Sequence, residues 1–342
     1  MRELLDDMDD ERELQRLRER QQKGASHVTP LIAALESLDA IVLKEFQIAD
    51  KDAMRHQDWY RRPALWSTLT GAVAVLCALL PASGPLSPAI TVTEAASAAI
   101  SLGIVLYCLI TGTRERSLLE RYRAERMRLA KFAALTNSHC WNEQAGEEWK
   151  TELQREIQDL TLEAENALEI WTSNGTVPVI REAPRLMDPE LAGEVRGYYV
   201  EKRVNAQLRY LSTRFPKERK SENATKYIGP ILFYASVVVV FTHTVMDFGA
   251  EPKESWLRVI VFLAASLPAF AAAVRTHRAA REYGRNALRH EATYHTLREL
   301  ESRLAAESGP AAIFQTIGFC EQVLEADTRE WMCLMREAEW FG

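Results

Sequence analysis

The 342-residue sequence holds no CxxC pair among its five cysteines, Cys77, Cys108, Cys140, Cys320 and Cys333. An odd, scattered set excludes a disulfide framework and points to a reducing compartment. Basic charge is not in excess either. The net charge of −6 excludes a general nucleic-acid binder, which needs a cationic face to displace counterions. No stretch of useful length alternates apolar and polar residues, so strands are not expected. The phosphate-cradling G-x-x-x-x-G-K-[ST] and G-x-G-x-x-G turns are missing, as is the G-x-S-x-G elbow. HEATYH, residues 290–295, comes nearest to a zinc helix. It sets His290 and His295 five residues apart, about 140° around a helix instead of on one face. His139 and Cys140 are neighbours, with no oriented base nearby to make the thiol a nucleophile. Enzyme chemistry, a metal and a cofactor are therefore not expected. The first 28 residues are charged throughout and lack the apolar stretch of a cleaved signal peptide.

Long uncharged runs are what the sequence has in place of these. Residues 64–82 and 95–113 carry no charge, 227–246 has one histidine, and 256–274 has Arg258 near its start. About 20 helical residues cross a hydrocarbon core of about 30 Å, so each run is long enough. Basic residues flank the two pairs. Arg55, Arg61 and Arg62 precede the first pair, and Arg114, Arg116, Arg121 and Arg123 follow it. Lys217, Arg219, Lys220 and Lys226 precede the second, and Arg275, Arg278 and Arg281 follow it. The intervening turns hold one lysine between them. The asymmetry predicts a multi-pass protein with both termini and all long polar segments in the cytoplasm. Trp66, Tyr227 and Trp256, with Arg61, Arg62, Arg114 and Arg275, are the expected interface anchors.

The sequence also repeats itself. LEAENALEIW at 162–171 returns as LEADTREW at 324–331. Thr29-Pro30 and Asp188-Pro189 each look like an N-cap followed by proline at the first helical position. Tyr122 pairs with Tyr283 and Arg128 with Arg289 at a shift of 161. This predicts an all-α membrane protein of two tandem repeats. Each repeat is a transmembrane hairpin with long amphipathic cytoplasmic helices that form a bundle. The expected division is a charged N-terminal helix or tail at 1–28, a first repeat at 29–171, a linker at 172–187 and a second repeat at 188–342. The tail's stripe of Leu4, Leu5, Met8, Leu14 and Leu17 is too thin for a globular core. It suits a coiled-coil strand or a solvated tail. Core positions are expected at Leu31, Leu35, Leu38, Ile41, Leu208, Leu211 and Phe215. In the last helix they are expected at Phe319, Val323, Trp331, Leu334 and Met335. The carboxylates, spread along the helices, are expected on solvated faces.

His243 and Arg258 are the ionisable residues within the runs. Such residues mark ion pathways or snorkel to the headgroups. With Ser97, Ser101, Ser236 and Ser266 they form the candidate pore or gating set. The small residues around Ala95–Gly103 and Ala264–Ala273 favour close helix packing and self-association.

A hairpin, a long helix and an acidic-then-Trp closing helix together resemble the SLATT family of bacterial two-transmembrane effectors. The closing residues are Glu325, Glu330 and Trp331, and Glu163, Glu165 and Trp171 in the first copy. The chain departs from that family's single-copy pattern by carrying two. The resemblance implies an antiviral-defence effector of the bacterial inner membrane. Triggered by a nucleotide second messenger or a sensor protein, it would oligomerise or rearrange and permeabilise the membrane. A membrane-anchored scaffold for a cytoplasmic partner is the alternative, and a small constitutive channel or transporter the third. The expected partners are lipid, further copies of the chain, and the nucleotide or sensor, with no direct nucleic acid.

Overall fold

Helix is the only regular structure among the residues described by the computed structural model, which are 8–79, 88–141, 146–162, 187–249 and 254–337 with the single positions Asn166 and Glu169. In chain order the helices are α1 (Glu11–Gln22), α2 (Thr29–Leu38), α3 (Lys44–Leu79), α4 (Pro88–Thr111), α5 (Thr113–Leu135) and α6 (Gly146–Leu162). They continue with α7 (Pro189–Tyr199), α8 (Ala206–Gly249), α9 (Glu254–Arg281), α10 (Tyr283–Ala306) and α11 (Pro310–Glu337). A π-helical segment, Asp39–Leu43, joins α2 to α3, and another, Val200–Asn205, joins α7 to α8.

The element order recurs from half to half. A proline-started helix, a π segment, a long helix, a second apolar helix and two polar ones appear in each. The starts differ in chemistry. Asp188 caps α7 by accepting from the Glu190 backbone N–H at 3.0 Å. Thr29 caps nothing, because the turn Ser26–Val28 runs straight into α2 and leaves Val28 at the N-cap. Its hydroxyl instead accepts from Gln21 at 2.8 Å. The polar helices begin after a single left-handed residue, Gly112 (φ 55°) in the first half and Glu282 (φ 49°) in the second. Glycine takes that conformation freely, whereas glutamate carries a strain of about 1–2 kcal/mol. The tyrosines paired at the 161 shift are not equivalent in place. Tyr122 is buried midway along α5, and Tyr283 is the first residue of α10.

The chain divides into two compact units that cut across the sequence halves. The first gathers the residues up to Arg55 with Glu115–Pro216 and Asn286–Glu337. The second gathers His56–Arg114 and Lys217–Arg285. The units bury opposite chemistry. The whole hydrophobic core cluster, including Leu31, Leu35, Leu38, Val42, Phe46, Phe132, Tyr199, Leu211, Phe314 and Ile317, belongs to the first. Apart from Ile48, Leu162 and Leu288, every exposed large hydrophobic side chain among the described residues belongs to the second. There Ile110 is 82% exposed and Phe241 69%. A surface of that kind needs lipid as its solvent. The protein is an all-α membrane protein.

Three helical stretches among the described residues are long and apolar enough to cross a bilayer, Ser26–Gln57, Pro88–Cys108 and Pro189–Thr242. The first is a core element, since 39% of its most apolar window is buried in the protein, against 0% and 6% for the others. Of the four expected spans, 95–113 lies on α4, which starts earlier, at Pro88, and 227–246 lies on α8. The other two coincide with shorter apolar stretches, Leu69–Ala78 and Phe262–Arg275. Within the second unit each hairpin packs closely. The Ser101 hydroxyl donates to the Ser67 carbonyl at 2.9 Å, and a Cβ on Gly71 would stand 3.3 Å from that hydroxyl. Gly229 lies against the Ala271 carbonyl.

The N-terminal stripe proves to be core. Met8, Leu14 and Leu17 are buried in the first unit's cluster, while Leu4 and Leu5 lie outside the described residues. On α11 the buried face is Ile313, Phe314, Ile317, Cys320, Leu324 and Met332. Phe319, Val323, Trp331 and Leu334 are only half-buried. These assignments predict that Leu35→Ala lowers stability by about 2–5 kcal/mol through the cavity it leaves. Exposed Ile231→Val should change it by less than about 0.5 kcal/mol. Thermal unfolding of the purified protein in detergent measures both.

Candidate functional site

Five arginines and five carboxylates lie together inside the first unit. Arg203, in the π segment before α8, meets Glu321 of α11 in a two-pronged pair, both contacts at 2.9 Å. The Tyr199 hydroxyl donates to the same carboxylate at 2.7 Å. Glu321 is 0% exposed and Arg203 2%. The Phe132 ring lies 4.9 Å from the Arg203 guanidinium and covers it. On α5, Arg128 grips both oxygens of Glu125 at 2.8 and 2.9 Å and lies over Phe46. Arg121 reaches Glu125 at 2.6 Å and Asp50 at 3.3 Å. Arg126 meets Glu325 at 3.4 Å, and Arg289 meets Asp327 at 2.7 Å.

Formal charge balances across these groups, five guanidiniums against five carboxylates. Their energetics are those of buried ions. Burial alone would raise Glu125, yet Arg128, Arg121 and Arg203 overcome it and hold the carboxyl at about 2. Burial and the nearby Glu321 carboxylate push the Tyr199 hydroxyl well above its ordinary range. The Nε atoms of Arg126 and Arg289 and the Thr316 hydroxyl oxygen are buried without hydrogen bonds. A network paired in this way costs more to break than it contributes whole. Its groups fix one arrangement of helices, and both π segments, a distortion that recurs at functional sites, supply members of the buried ionic groups.

The other π segment supplies Asp39 to a second buried group. The Lys131 ammonium donates to the Met8 carbonyl at 2.8 Å and pairs with Asp10 at 2.7 Å and Asp39 at 3.3 Å. The Tyr198 hydroxyl lies 2.8 and 2.9 Å from the two Asp10 oxygens. Two carboxylates here share one ammonium. Burial pushes Asp39 up to about 6, against the pull of Lys131 and with a further push from Asp10.

The residues singled out in the sequence lie elsewhere. Ser97, Ser236 and Ser266 are buried and Ser101 is half-buried. The Ser236 and Ser266 hydroxyls donate to the Phe233 and Leu263 carbonyls of their own helices, at 2.7 and 3.4 Å. Trp66, Tyr227 and Arg275 are exposed, with the Lys226 ammonium 5.7 Å from the Tyr227 ring centre. The side chains of His243, Arg258, Trp256, Arg61, Arg62 and Arg114 lie outside the described residues, as do Glu163, Glu165 and Trp171. Buried His290 stands against Tyr210 and next to the Arg289 guanidinium, whereas His295 is exposed. Burial pushes the Cys140 and Cys320 thiols up to about 12, so neither is an activated nucleophile.

The expectation of solvated carboxylates fails at Asp10, Asp50, Glu125, Glu321 and Glu325, all buried. The signal for two of them is in the spacing. Ile317, Glu321 and Leu324 stand at i, i+4 and i+7, and Phe314, Ile317, Glu321 and Glu325 continue the same stripe. A charge on an apolar stripe demands a partner. Which arginine answers it is set by packing between distant segments, and no local pattern shows that.

Residues 199–331 match the family model described as SMODS and SLOG-associating 2TM effector domain 1, SLATT_1. No curated protein and no solved structure matches the chain. The matched segment runs from Tyr199 to Trp331 and so includes Arg203, Arg289, Glu321, Glu325 and Asp327. It falls in the second half of the chain.

Two outcomes follow from the buried charges. Glu321→Gln should destabilise the protein by about 3–5 kcal/mol by stranding Arg203, while the double change Arg203→Met with Glu321→Leu should recover most of the loss. Detergent-solubilised unfolding curves distinguish the two. For Asp39, the folded value of about 6 stands above the ordinary 3.8. The folded state therefore holds the proton more tightly than the unfolded chain. The contribution of Asp39 to stability falls as pH rises from about 4 through about 6, and its decline is then complete. Asp39→Asn should remove that decline. The melting temperature of the variant, compared with the parent at pH 4.5 and 7.5, reads it.

Proposed function

With residues 199–331 SLATT-like, we propose that the protein is a conditional effector of antiviral defence in the bacterial inner membrane. It acts by permeabilising that membrane when a nucleotide signal or a sensor protein reaches the first unit. Both hairpins enter lipid, and the termini and the first unit are cytoplasmic, in keeping with the basic flanks. The two halves are tandem copies of one effector unit. The observation that carries the reading is the inversion between the units, one with its hydrocarbon outward and the other with its charges inward. The first unit is the part a soluble signal can reach, and its balanced ion pairs define one arrangement to be lost on activation. Four packed helices leave no lumen, because bundle interiors fill with side chains. Conduction therefore needs rearranged hairpins or several copies.

One observation favours a second reading, a membrane-anchored scaffold. The Ser101, Ser236 and Ser266 hydroxyls are spent on backbone carbonyls instead of facing water. A protein that only anchors would look the same. Expression with its genomic neighbours, with membrane potential followed by a voltage-sensitive dye after phage challenge, separates the readings. The effector depolarises the cells before lysis, and replacing 56–114 and 217–285 with unrelated apolar hairpins abolishes this. Protection that survives the replacement, or cell death at unchanged potential, would establish the scaffold instead.

A further inference from the structure

Residues 8–28 are bound to both halves of the first unit, by groups that have no need of each other unless this segment lies between them. Met8 is 0% exposed and so is Asp10. The Asp10 carboxylate joins Lys131, from α5 of the first half, to Tyr198, from α7 of the second. Lys131 also holds the Met8 carbonyl, and the Lys202 ammonium holds the Asp9 carbonyl at 2.6 Å. Further along, Arg18 pairs with Glu36 of α2 at 2.6 Å. Arg20 makes a two-pronged pair with Glu194 of α7, and His27 lies 3.2 Å from Glu190. Leu14 and Leu17 fill the core between these ties.

The tie at Asp10 is held under repulsion. The charged groups that meet there are the Lys131 ammonium from α5, the Asp39 carboxylate from the π segment before α3, and Asp10 itself, with the Lys202 ammonium beside them on the Asp9 carbonyl. Tyr198 contributes a neutral hydroxyl. The Lys131 ammonium thus serves two carboxylates, Asp10 wholly buried and Asp39 with 19% of its side chain exposed. A simple structural cap would gain from an apolar residue in place of Asp39. A segment meant to leave gains from a neighbour that weakens its hold. We propose that residues 8–28 form an inhibitory strap, tied across the two halves of the first unit through Asp10, and that its withdrawal is the activating step. This rests on the effector reading and deepens it by naming the contact that is broken.

The test uses the full chain, both in cells and in nanodiscs. Asp10→Lys sets a second cation against Lys131 and expels the strap. Arg20→Glu, at a half-exposed position, repels Glu194 and loosens the strap without touching the buried site. Asp39→Asn removes the opposing carboxylate and tightens it. Amide hydrogen exchange in residues 11–22 should quicken by about tenfold or more in the first two and slow in the third. Cells carrying Asp10→Lys or Arg20→Glu should depolarise without phage, and those carrying Asp39→Asn should respond later than the parent. If the strap is freed in a variant whose α7 and α11 stay protected, and those cells hold their potential until challenged, the strap is structural and the proposal is overturned. The effector reading would then stand, because the parent still depolarises. Fast exchange in residues 11–22 of the resting parent would also overturn the proposal. A parent that never depolarises under challenge would remove both readings together.

Discussion

A large apolar side chain cannot be left in water without a cost of about 1.5–3 kcal/mol relative to its burial. The second unit exposes many of them, from Trp66 through Ile110 and from Tyr227 through Phe270. No soluble fold of this size sustains that, so lipid must be the solvent for the exposed apolar faces of α3, α4, α8 and α9. Two features follow from this constraint. In lipid there is no hydrophobic drive between helices, so association needs close approach and backbone satisfaction. The contact of Ser101 with the Ser67 carbonyl beside Gly71 provides both. The charges, excluded from hydrocarbon, stand beside the apolar runs, as Glu222 and Arg278 do in an ion pair, or in the first unit. There they either reach water or find partners.

Many of them find partners. Arg203 with Glu321, Arg128 with Glu125 and Lys131 with Asp10 are taken from water at a cost that their mutual attraction barely returns. A core of leucines would be as stable or more so. Such pairs offer discrimination, because a shifted helix leaves a bare charge in an apolar interior, whereas a shifted leucine finds another leucine. In the first unit Arg126 with Glu325 and Arg20 with Glu194 join the two halves of the chain, so these pairs bear on how the halves meet. An effector that must stay silent until signalled needs a sharply defined resting arrangement, and paired buried ions supply one.

The helical class was plain from the sequence because it rests on local facts. Uncharged runs, the absence of alternation and proline at helix starts all act within a few residues. The basic flanks were equally plain, and the boundaries between the units fall beside them, at Arg55, Arg114, Lys217 and Arg285. The N-terminal stripe belongs to the core, not to a coiled-coil strand or a solvated tail. Met8, Leu14 and Leu17 make too narrow a face to build a core alone, but they complete a core whose other walls are α2 and α7. Hydropathy alone also fails at Ser26–Gln57, which is as apolar as a span because Leu31, Leu35, Leu38, Val42 and Phe46 meet protein on every side. Composition gives the affinity for a dry environment, and only packing says whether that environment is lipid or protein.

The candidate site is hidden in the sequence for the same reason. A polar group in an apolar run, such as the serines or His243, stands out. A glutamate among other charges does not. Glu321 has Gln322 beside it and Glu325 a turn away, and looks like part of a solvated face until its angular position is set against Ile317 and Leu324. Asp10 lies in a run of four acids within five residues, Asp6, Asp7, Asp9 and Asp10, yet it alone among the described members is wholly buried. What distinguishes it is Lys131, more than a hundred residues away, and that ammonium is a partner only because α5 passes the N-terminal segment. A change in how the two halves meet must first alter the few charges that cross between them, Arg126 with Glu325, Arg20 with Glu194 and the Asp10 carboxylate with the Tyr198 hydroxyl.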